Sequence, residues 1–405
     1  MSLRGALVRL HRWAGLAMAA FLTLAGLTGA VIAFQGELDA WLNPSLYRAR
    51  DPGPALSPDA LVARLAQQEP RAELTYLSFR VPPGMSVPAF VRPRAGTTPD
   101  LGFDQVFLDP ASGTILGTRR WGACCFAADR VVPFLYRFHY TLAAGNTGEI
   151  FMGVVAILWA LDCFVGLSLT FPRGRPFLLK WRTAWTIKHP AAAQRRVLDL
   201  HRAGALWLWL LLLLMGVSGV ALALPDQVFR PLLGALTPLT PSPYAQAATR
   251  PHPAPDRPRI GFDRAIELAA AVARARGWAA RPGAVFDASA AGALVVYFFE
   301  TPFDRGRGLG TPVVYLDDSS GEVLRVDAPG AGTTGDDVLR LQFPLHSGQV
   351  AGTPGRIVVA VLGMTTAMLS VTGVLIWWVK RRAQRRVVRD RRTLVRESRR
   401  VVSEG

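Results

Sequence analysis

Four long and almost uncharged apolar stretches constrain the fold of this 405-residue chain more than any other feature of its sequence. Each has the roughly 17 to 25 residues that a helix needs to cross a bilayer. Because backbone groups in lipid must bond within their own segment, such stretches are predicted to be transmembrane helices. Asp162 is the one charged residue well inside a stretch. The four run from Trp13 to Phe34, from Gly148 to Phe171, from Ala203 to Leu224 and from Ile357 to Val379.

The distribution of charge predicts how these helices are oriented. The formal net charge is +17, yet the basic excess lies in residues 1–12, 173–202 and 380–405, which hold 22 Lys and Arg against 4 Asp and Glu. The rest of the chain holds 24 against 25. A basic excess is typical of segments that stay in the cytoplasm, so both termini and the middle loop are predicted there. The basic tail is then an anchor to anionic lipid of the bilayer, and no nucleic-acid partner is expected.

The order of motifs is duplicated along the chain. His11, in Leu-His-Arg, begins the first apolar stretch, and His201, also in Leu-His-Arg, begins the third. His139 precedes the second stretch and His346 the fourth, and each is followed by two spaced glycines. Since both halves start on the same side, the pattern predicts a parallel repeat about an axis along the membrane normal. This arrangement puts His11 with His201 at the cytoplasmic level and His139 with His346 at the outer level.

Between the two stretches of each half lies a segment with the pattern of a small α+β module. Each segment contains Leu-Asp-x-x-Ser-Gly, beginning at Leu108 and at Leu316, which indicates a turn between two strands. A helical pattern precedes each hairpin. Ser57 is the predicted N-cap of the first helix, because proline follows it, and the second helix is predicted from Phe262 to Arg276 with Gly277 as its C-cap.

The predicted fold class is therefore an α-helical membrane protein, a four-TM-helix bundle from two parallel repeats with two small α+β extracytoplasmic modules. Alternating strands are predicted at Leu74 to Val81 and Ala293 to Phe299, and a proline-dense linker from Pro238 to Pro258. The predicted boundaries are 1–34 for the first membrane helix with its cytoplasmic N-terminus, 35–147 for the first module, 148–172 for the second helix, 173–202 for the cytoplasmic loop, 203–224 for the third helix, 225–356 for the second module, 357–379 for the fourth helix and 380–405 for the basic tail.

Paired histidines at the ends of membrane helices suit one kind of cofactor. Haem iron in an electron carrier takes two neutral imidazole nitrogens on opposite faces of its ring, offered by facing elements. His11 with His201 and His139 with His346 are therefore candidate axial ligands of two haem b groups. The alternative is that a histidine beside an arginine at a helix end is only an interfacial residue. No catalytic residue is predicted.

Other residues with chemical potential have plainer interpretations. Asp162 is expected to face a polar interior, bonded to a tryptophan, a backbone group or a haem propionate, and its depth favours the cytoplasmic-level site. An anionic chelate could be attracted by a few arginines, but solvated loop charges are the favoured interpretation. These arginines are Arg119, Arg120, Arg305 and Arg307.

The three cysteines, Cys124, Cys125 and Cys163, are expected to be unpaired. His189 and His252 have no counterpart in the other half of the chain, so they are not expected to be ligands.

Taken in order, these motifs resemble the PepSY-associated transmembrane family. The likeness rests on Leu-His-Arg at both helix starts, on helices that end in Thr28-Gly29 or Ser218-Gly219, on the Leu-Asp-x-x-Ser-Gly hairpins and on the last helix, which ends in Ile-Trp-Trp-Val-Lys-Arg. It extends over nearly the whole chain. The two halves are not strict copies, because Trp13 corresponds to Ala203 and a proline stands two residues before His346.

The resemblance implies a bacterial inner-membrane protein with periplasmic PepSY modules and two haems. The family includes ferric-siderophore reductases, so the implied activity is electron transfer to a periplasmic acceptor, an Fe(III)–siderophore complex. No dinucleotide-binding pattern is found, so the electron donor is expected to be separate, either quinol or a cytoplasmic reductase. Two alternatives stay open. One is a redox subunit for a different substrate, and the other is a membrane-tethered PepSY sensor or inhibitor of a protein partner, in which the histidines would be incidental.

Overall fold

A computed structural model describes residues 2–241, 259–302 and 307–404 of the chain, with side chains as far as residue 387. Several sequence predictions lie outside these residues. They are His252, Arg305, most of the proline-dense linker and the side chains of the basic tail beyond residue 387.

Blocks of helices and blocks of four strands follow one another in the described part of the chain. The α-helices are α1 (Leu3–Ile32), α2 (Gln35–Leu42), α3 (Pro44–Tyr47), α4 (Pro58–Gln68), α5 (Ala128–Thr141), α6 (Gly145–Thr170), α7 (Phe177–Trp181), α8 (Ala193–Trp207), α9 (Trp209–Ala223), α10 (Arg230–Gly234), α11 (Phe262–Ala275), α12 (Thr334–Ser347) and α13 (Gly352–Glu404). The strands are β1 (Ala72–Ser78), β2 (Val87–Pro93), β3 (Gln105–Leu108), β4 (Ile115–Arg119), β5 (Arg281–Ala288), β6 (Ala293–Phe299), β7 (Val313–Asp317) and β8 (Val323–Asp327).

Three helices in the described residues are long and apolar enough to cross a membrane: α1, α6 and the Gln349–Val387 part of the last helix. Helices α8 and α9 pass the same test as a pair, but they are bent by 70° at Leu208. Neither proline nor glycine stands at this bend. The two flanking indoles are held from outside instead, since Trp207 donates to the Trp185 carbonyl and Trp209 donates to the Cys163 carbonyl.

Small residues bring the long helices into close contact. A Cβ atom at Gly26 of α1 would overlap the Gly363 carbonyl of α13, and a Cβ at Gly216 of α9 would touch the backbone of Ala160 in α6. Packing through small residues is the usual way in which membrane helices associate, because lipid gives apolar side chains no reason to cluster. The result is two tight helix pairs, α1 with α13 and α6 with α9.

The strands of the two segments between the apolar stretches, one in each half of the chain, form one antiparallel sheet. Its order is β4-β3-β2-β1-β5-β6-β7-β8, so the junction between the two segments is the pairing of β1 with β5. The sequence predicted two separate modules, whereas the structure joins them, because an unpaired β1 or β5 would leave an exposed strand edge. Helices α4 and α11 cover one face, where Leu61, Leu65 and Ala269 are buried.

The same junction is closed by two aspartates that cap each other's helices. Asp59, in the first turn of α4, accepts hydrogen bonds from the backbone N–H groups of Phe262 and Asp263 at the start of α11. Asp263 in turn accepts from the backbone N–H of Asp59 and from the Ser57 hydroxyl. Each carboxylate therefore satisfies free N–H groups at the positive end of the other half's helix.

The local predictions for these segments are confirmed. Ser57 caps α4 by accepting from the Ala60 N–H, and α11 ends just before Gly277, whose φ of +65° favours glycine. Both Leu-Asp-x-x-Ser-Gly motifs are strand-to-strand turns. The sulfur atoms of Cys124 and Cys125 lie in contact in the loop before α5, and the interpretation of these residues as unpaired stays a prediction.

Candidate functional site

The structure brings the four repeat-related histidines together as two pairs. The rings of His11 and His201 have centres 6.3 Å apart and planes at 62°. The rings of His139 and His346 have centres 6.2 Å apart and planes at 61°. We call the first the tail-side pair, since it lies toward the end of the helices that carries the basic tail, and the second the sheet-side pair.

The spacing within each pair matches that of two imidazoles on one metal ion. With metal–nitrogen bonds of about 2.0 Å on opposite sides of the ion, two ring centres lie about 6 Å apart. Two rings that are merely in van der Waals contact could have other separations, yet both pairs have this one. The two pairs therefore share a separation that is compatible with a bridging metal.

The two pairs are carried by different kinds of helix. His11 lies in α1 and His201 in α8, within the candidate membrane spans. His139 and His346 lie near the ends of α5 and α12, which precede the spans α6 and α13. Both α5 and α12 are helices of 14 residues, each with an internal proline.

Three of the four rings are fixed by a hydroxyl group at Nδ1. Each hydroxyl donates its own hydrogen to a backbone carbonyl in the preceding turn of its helix, so it can only accept a hydrogen from the ring. This makes Nδ1 the protonated nitrogen and leaves Nε2 with a lone pair for a metal. The pairs are Thr28 with His139 at 3.0 Å, Ser218 with His346 at 2.9 Å and Thr372 with His201 at 3.0 Å, and the carbonyls belong to Leu24, Met215 and Met368.

The fourth ring is fixed by a carboxylate. The two oxygens of Asp162, in α6, lie 2.9 and 3.0 Å from Nδ1 of His11. The Asp162 side chain is 12% exposed. The sequence placed Asp162 at the cytoplasmic-level site but did not find its partner. The available signal was its position one helical turn before Gly166.

A glycine from a neighbouring helix lies beside every one of the four rings. An added Cβ would stand within 4 Å of the ring's Cε1 atom in each case. At Gly29 the added Cβ would be too close for an ordinary contact and the His139 ring would have to shift, whereas at the other three glycines it would be in ordinary contact with the ring. The distances would be 3.5 Å from Gly166 to His11, 3.4 Å from Gly373 to His201, 3.1 Å from Gly29 to His139 and 3.8 Å from Gly219 to His346.

The donor set of each pair fits haem better than a bare metal ion. Each pair offers two imidazole nitrogens, and haem supplies the other four ligands from its own ring. Across residues 2–241, 259–302 and 307–404 no group of three or more His, Cys, Asp or Glu side chains is assembled as a metal site. Fixed Nδ1 partners of this kind are also typical of metal-bound histidines.

Arg119, which the sequence predicted to be a solvated loop charge, is buried and has a structural role. The Arg119 side chain is only 2% exposed and bonds Asp39 of α2 at 2.6 Å. Burial by itself lowers the pKa of Arg119, but the hydrogen bonds with Asp39 outweigh it and the pKa is raised. Arg119 also donates to the Asp129 carbonyl in α5. The expectation of a solvated loop charge is therefore wrong for Arg119, whereas Arg120 is half-exposed and pairs with Asp100.

A cavity of about 430 Å³ lies beside these arginines, between β4 and the start of α5. Arg119, Arg120 and Arg130 line it together with Asp129. Because Asp39, Asp100 and Asp129 pair with these three arginines, the cavity carries little net charge. It gives no clear support to an anion site.

The comparison with protein families gives one extended match. A profile described as the PepSY-associated TM region matches residues 8–380. No curated protein matches the chain.

Proposed function

This chain belongs to the PepSY-associated TM family, and we propose that within it the protein holds two haem b groups and carries electrons outward across the bacterial inner membrane. The proposed acceptor is an Fe(III)–siderophore complex in the periplasm. The donor would be a separate molecule, either quinol or a cytoplasmic reductase. The proposed topology has four spans as two parallel repeats, both termini in the cytoplasm and the sheet in the periplasm, which the charge distribution supports.

One observation supports this proposal above the others. In both pairs the ring centres lie 6.2 to 6.3 Å apart, and every ring has a partner at Nδ1. A ring that donates from Nδ1 must offer Nε2 as its lone-pair nitrogen. His11 and His201 would hold one haem, and His139 and His346 the other. When bound, haem supplies a one-electron Fe(III)/Fe(II) couple.

The positions of the two pairs along the bundle suit electron transfer across a membrane. His11 lies in α1 itself, and the hydroxyl that holds His139 belongs to Thr28 of the same helix. Seventeen residues of helix rise about 25 Å, against a hydrocarbon core of about 30 Å. One site would therefore lie toward each surface. Residues on α6, α9 and α13 orient three of the rings through their contacts at Nδ1.

Reduction explains how iron would be released from a siderophore. Oxygen donors, which are hard ligands, hold Fe(III) more strongly than Fe(II), so accepting one electron weakens the complex. The sheet-side pair is the one next to the extracytoplasmic sheet, which is where a periplasmic acceptor would approach. His139 and His346 are thus the residues proposed to bring the electron closest to the acceptor.

Haem quantitation on the purified protein tests the proposal. We expect about two haem b per wild-type chain, with a reducible Soret and α band, and a loss of about one haem in each of the variants His11→Ala, His201→Ala, His139→Ala and His346→Ala. The exposed His189 is the matched control, and His189→Ala should keep both haems. A wild-type protein without haem would overturn the proposal.

A reduction assay separates the proposed activity from the two alternatives. A quinol is supplied as the electron donor, and the Fe(II) released from a ferric siderophore is trapped by a chelator that forms a coloured complex with Fe(II). We expect the wild type and His189→Ala to release Fe(II), and His139→Ala to release none. A haem-loaded wild type that reduces no ferric complex would favour a different redox substrate. A sensor or inhibitor would keep its effect on its protein partner in His139→Ala.

A further inference from the structure

Three of the four histidines share one arrangement, and the fourth departs from it. In three neighbouring helices the hydroxyl residue that bonds Nδ1 directly precedes the glycine beside the ring, as Thr28-Gly29, Ser218-Gly219 and Thr372-Gly373. In α6 the corresponding dipeptide is Val165-Gly166. Valine has no group that can accept a hydrogen bond. The His11 ring consequently lacks the hydroxyl that the other three rings have.

Asp162 takes the place of the missing hydroxyl. It stands three residues before Val165, so the two side chains lie on the same face of α6, one turn apart. Both of its oxygens are within 3.0 Å of Nδ1. In the part of the chain that the structure describes, His11 is its hydrogen-bonding partner, and the nearby Arg4 guanidinium bonds the Leu169 and Phe171 carbonyls instead.

A carboxylate and a hydroxyl affect an imidazole differently. A charged acceptor pulls more strongly on the Nδ1 proton than a neutral one, and this makes Nε2 a stronger electron donor. A stronger donor stabilises Fe(III) relative to Fe(II). The negative charge itself acts in the same direction, because an anion favours the more positive oxidation state nearby. Both effects lower the reduction potential of whatever iron His11 holds.

We propose that Asp162 is a positioning residue that makes the tail-side site the lower-potential site of the two. The inference rests on the proposed function. It would give electron flow a direction: one electron would pass from iron held by His11 and His201, oxidised from Fe(II) to Fe(III), to iron held by His139 and His346, reduced from Fe(III) to Fe(II). No proton and no further reactant is needed. The difference between the two sites comes from Asp162, since the other three histidines have neutral hydroxyl partners.

A redox titration of the haem-loaded protein, followed by its absorption spectrum, tests this inference. The wild type should show two midpoint potentials, and His139→Ala, which keeps only the tail-side haem, should retain the lower one. In Asp162→Asn we expect the lower potential to rise. At the wild-type lower midpoint, the ratio of reduced to oxidised tail-side haem should increase at least tenfold, which corresponds to about 59 mV for a one-electron couple.

A second variant keeps the positioning of His11 but removes the charge. Asp162→Leu combined with Val165→Thr rebuilds the hydroxyl-glycine arrangement of the other three helices, and it should raise the lower potential as Asp162→Asn does. Thr372→Val removes a neutral partner from the other histidine of the same site and should shift the potential less. The sheet-side potential should stay unchanged in all three variants.

The outcomes distinguish this inference from the proposed function. A wild type without haem overturns the proposed function. Two bound haems whose potentials do not move in Asp162→Asn overturn this inference alone. Loss of the tail-side haem in both Asp162 variants would also overturn it, because Asp162 would then only hold His11 in place.

Discussion

The tail-side and sheet-side pairs have the same geometry but different supports. Ring centres are 6.3 Å apart in one and 6.2 Å in the other, with nearly equal angles between the planes. The tail-side histidines belong to helices that are themselves candidate spans, whereas the sheet-side histidines enter on α5 and α12, which continue from the sheet. The tail-side geometry therefore depends on helix packing, and the sheet-side geometry depends in addition on the fold of the sheet domain.

The two sheet-side helices are anchored in unlike ways. Helix α12 begins with a capping box, in which Thr333 and Asp336 satisfy each other's backbone N–H groups. Helix α5 has no side-chain cap at Ala127. Its first turn is held instead by Asn43, which donates to the Ala128 carbonyl, and by the buried Arg119. Disturbing either anchor should affect His139 or His346 while leaving the tail-side pair intact.

Arg119→Met is expected to produce the largest difference between its effects on the sheet-side pair and on the tail-side pair. Removing the guanidinium leaves Asp39 charged and buried, which costs about 3–5 kcal/mol of unfolding free energy. Helix α5 also loses its bond to β4, so we expect loss of the sheet-side haem with the tail-side haem retained. Thermal unfolding and haem content check both effects. Arg120→Met is the control, and because its ion pair is exposed it should change little; equal loss of both haems would contradict the separation.

The next effect depends on pH and acts through α12. Burial by itself raises the pKa of Asp336, but hydrogen bonds from Thr240 and Thr333 outweigh it and lower the pKa to about 2. A lowered pKa means that the stabilisation is present above the ordinary value of 3.8 and is lost as the pH falls toward 2. It amounts to about 2 kcal/mol.

An acid titration of the absorption spectrum checks this prediction. The sheet-side haem should be released before the tail-side haem as the pH falls below 4. In Asp336→Asn the stability should be lower at neutral pH and should fall less steeply over the same range. Identical acid profiles for the variant and the wild type would show that Asp336 does not hold α12.

A smaller effect is expected at the junction of the two halves. Asp59→Ala or Asp263→Ala removes a helix cap and should cost about 1 kcal/mol of unfolding free energy. Because the two carboxylates bond each other's segments, the double variant should cost less than the two single variants together. Chemical unfolding followed by circular dichroism measures all three. Additive costs would mean that the two caps act independently, and loss of tail-side haem would contradict the confinement of the effect to the sheet.

The smallest effect is a comparison of two glycines. In Gly29→Ala the new methyl would stand 3.1 Å from Cε1 of His139, so the ring must shift by a few tenths of an ångström. In Gly166→Ala the distance to His11 is 3.5 Å, an ordinary contact. We expect the sheet-side haem band to shift in Gly29→Ala and the tail-side band to stay in place in Gly166→Ala. The opposite pattern would contradict the closeness of His139 to α1.

The sequence predicted features that depend on nearby residues. Apolar length indicated the spans, the Asp-x-x-Ser-Gly turns located both hairpins, and Ser57 located the start of α4. The duplication of the Leu-His-Arg motif predicted that His11 and His201 lie at one level, and the structure brings them together. Their role as haem ligands stays a prediction.

Features that join distant residues were not predictable in this way. Asp162 and His11 are 151 residues apart, and Arg119 and Asp39 are 80 apart. Nothing local distinguishes a carboxylate that will meet imidazole from one that will meet an indole, or a buried arginine from a solvated one. The bend at Leu208 has no glycine or proline from which it could be predicted. Hydrogen bonds from Trp207 and Trp209 to other segments stabilise it instead.

The exchange of caps between Asp59 and Asp263 has a consequence for the symmetry of the molecule. Each half leaves one helix start and one strand edge incomplete, and the other half completes both with the residue at the matching place. Two identical copies of a single half would satisfy these needs equally well. The junction thus has the two-fold pattern of an interface between two like subunits, in which each side offers the other the same contact.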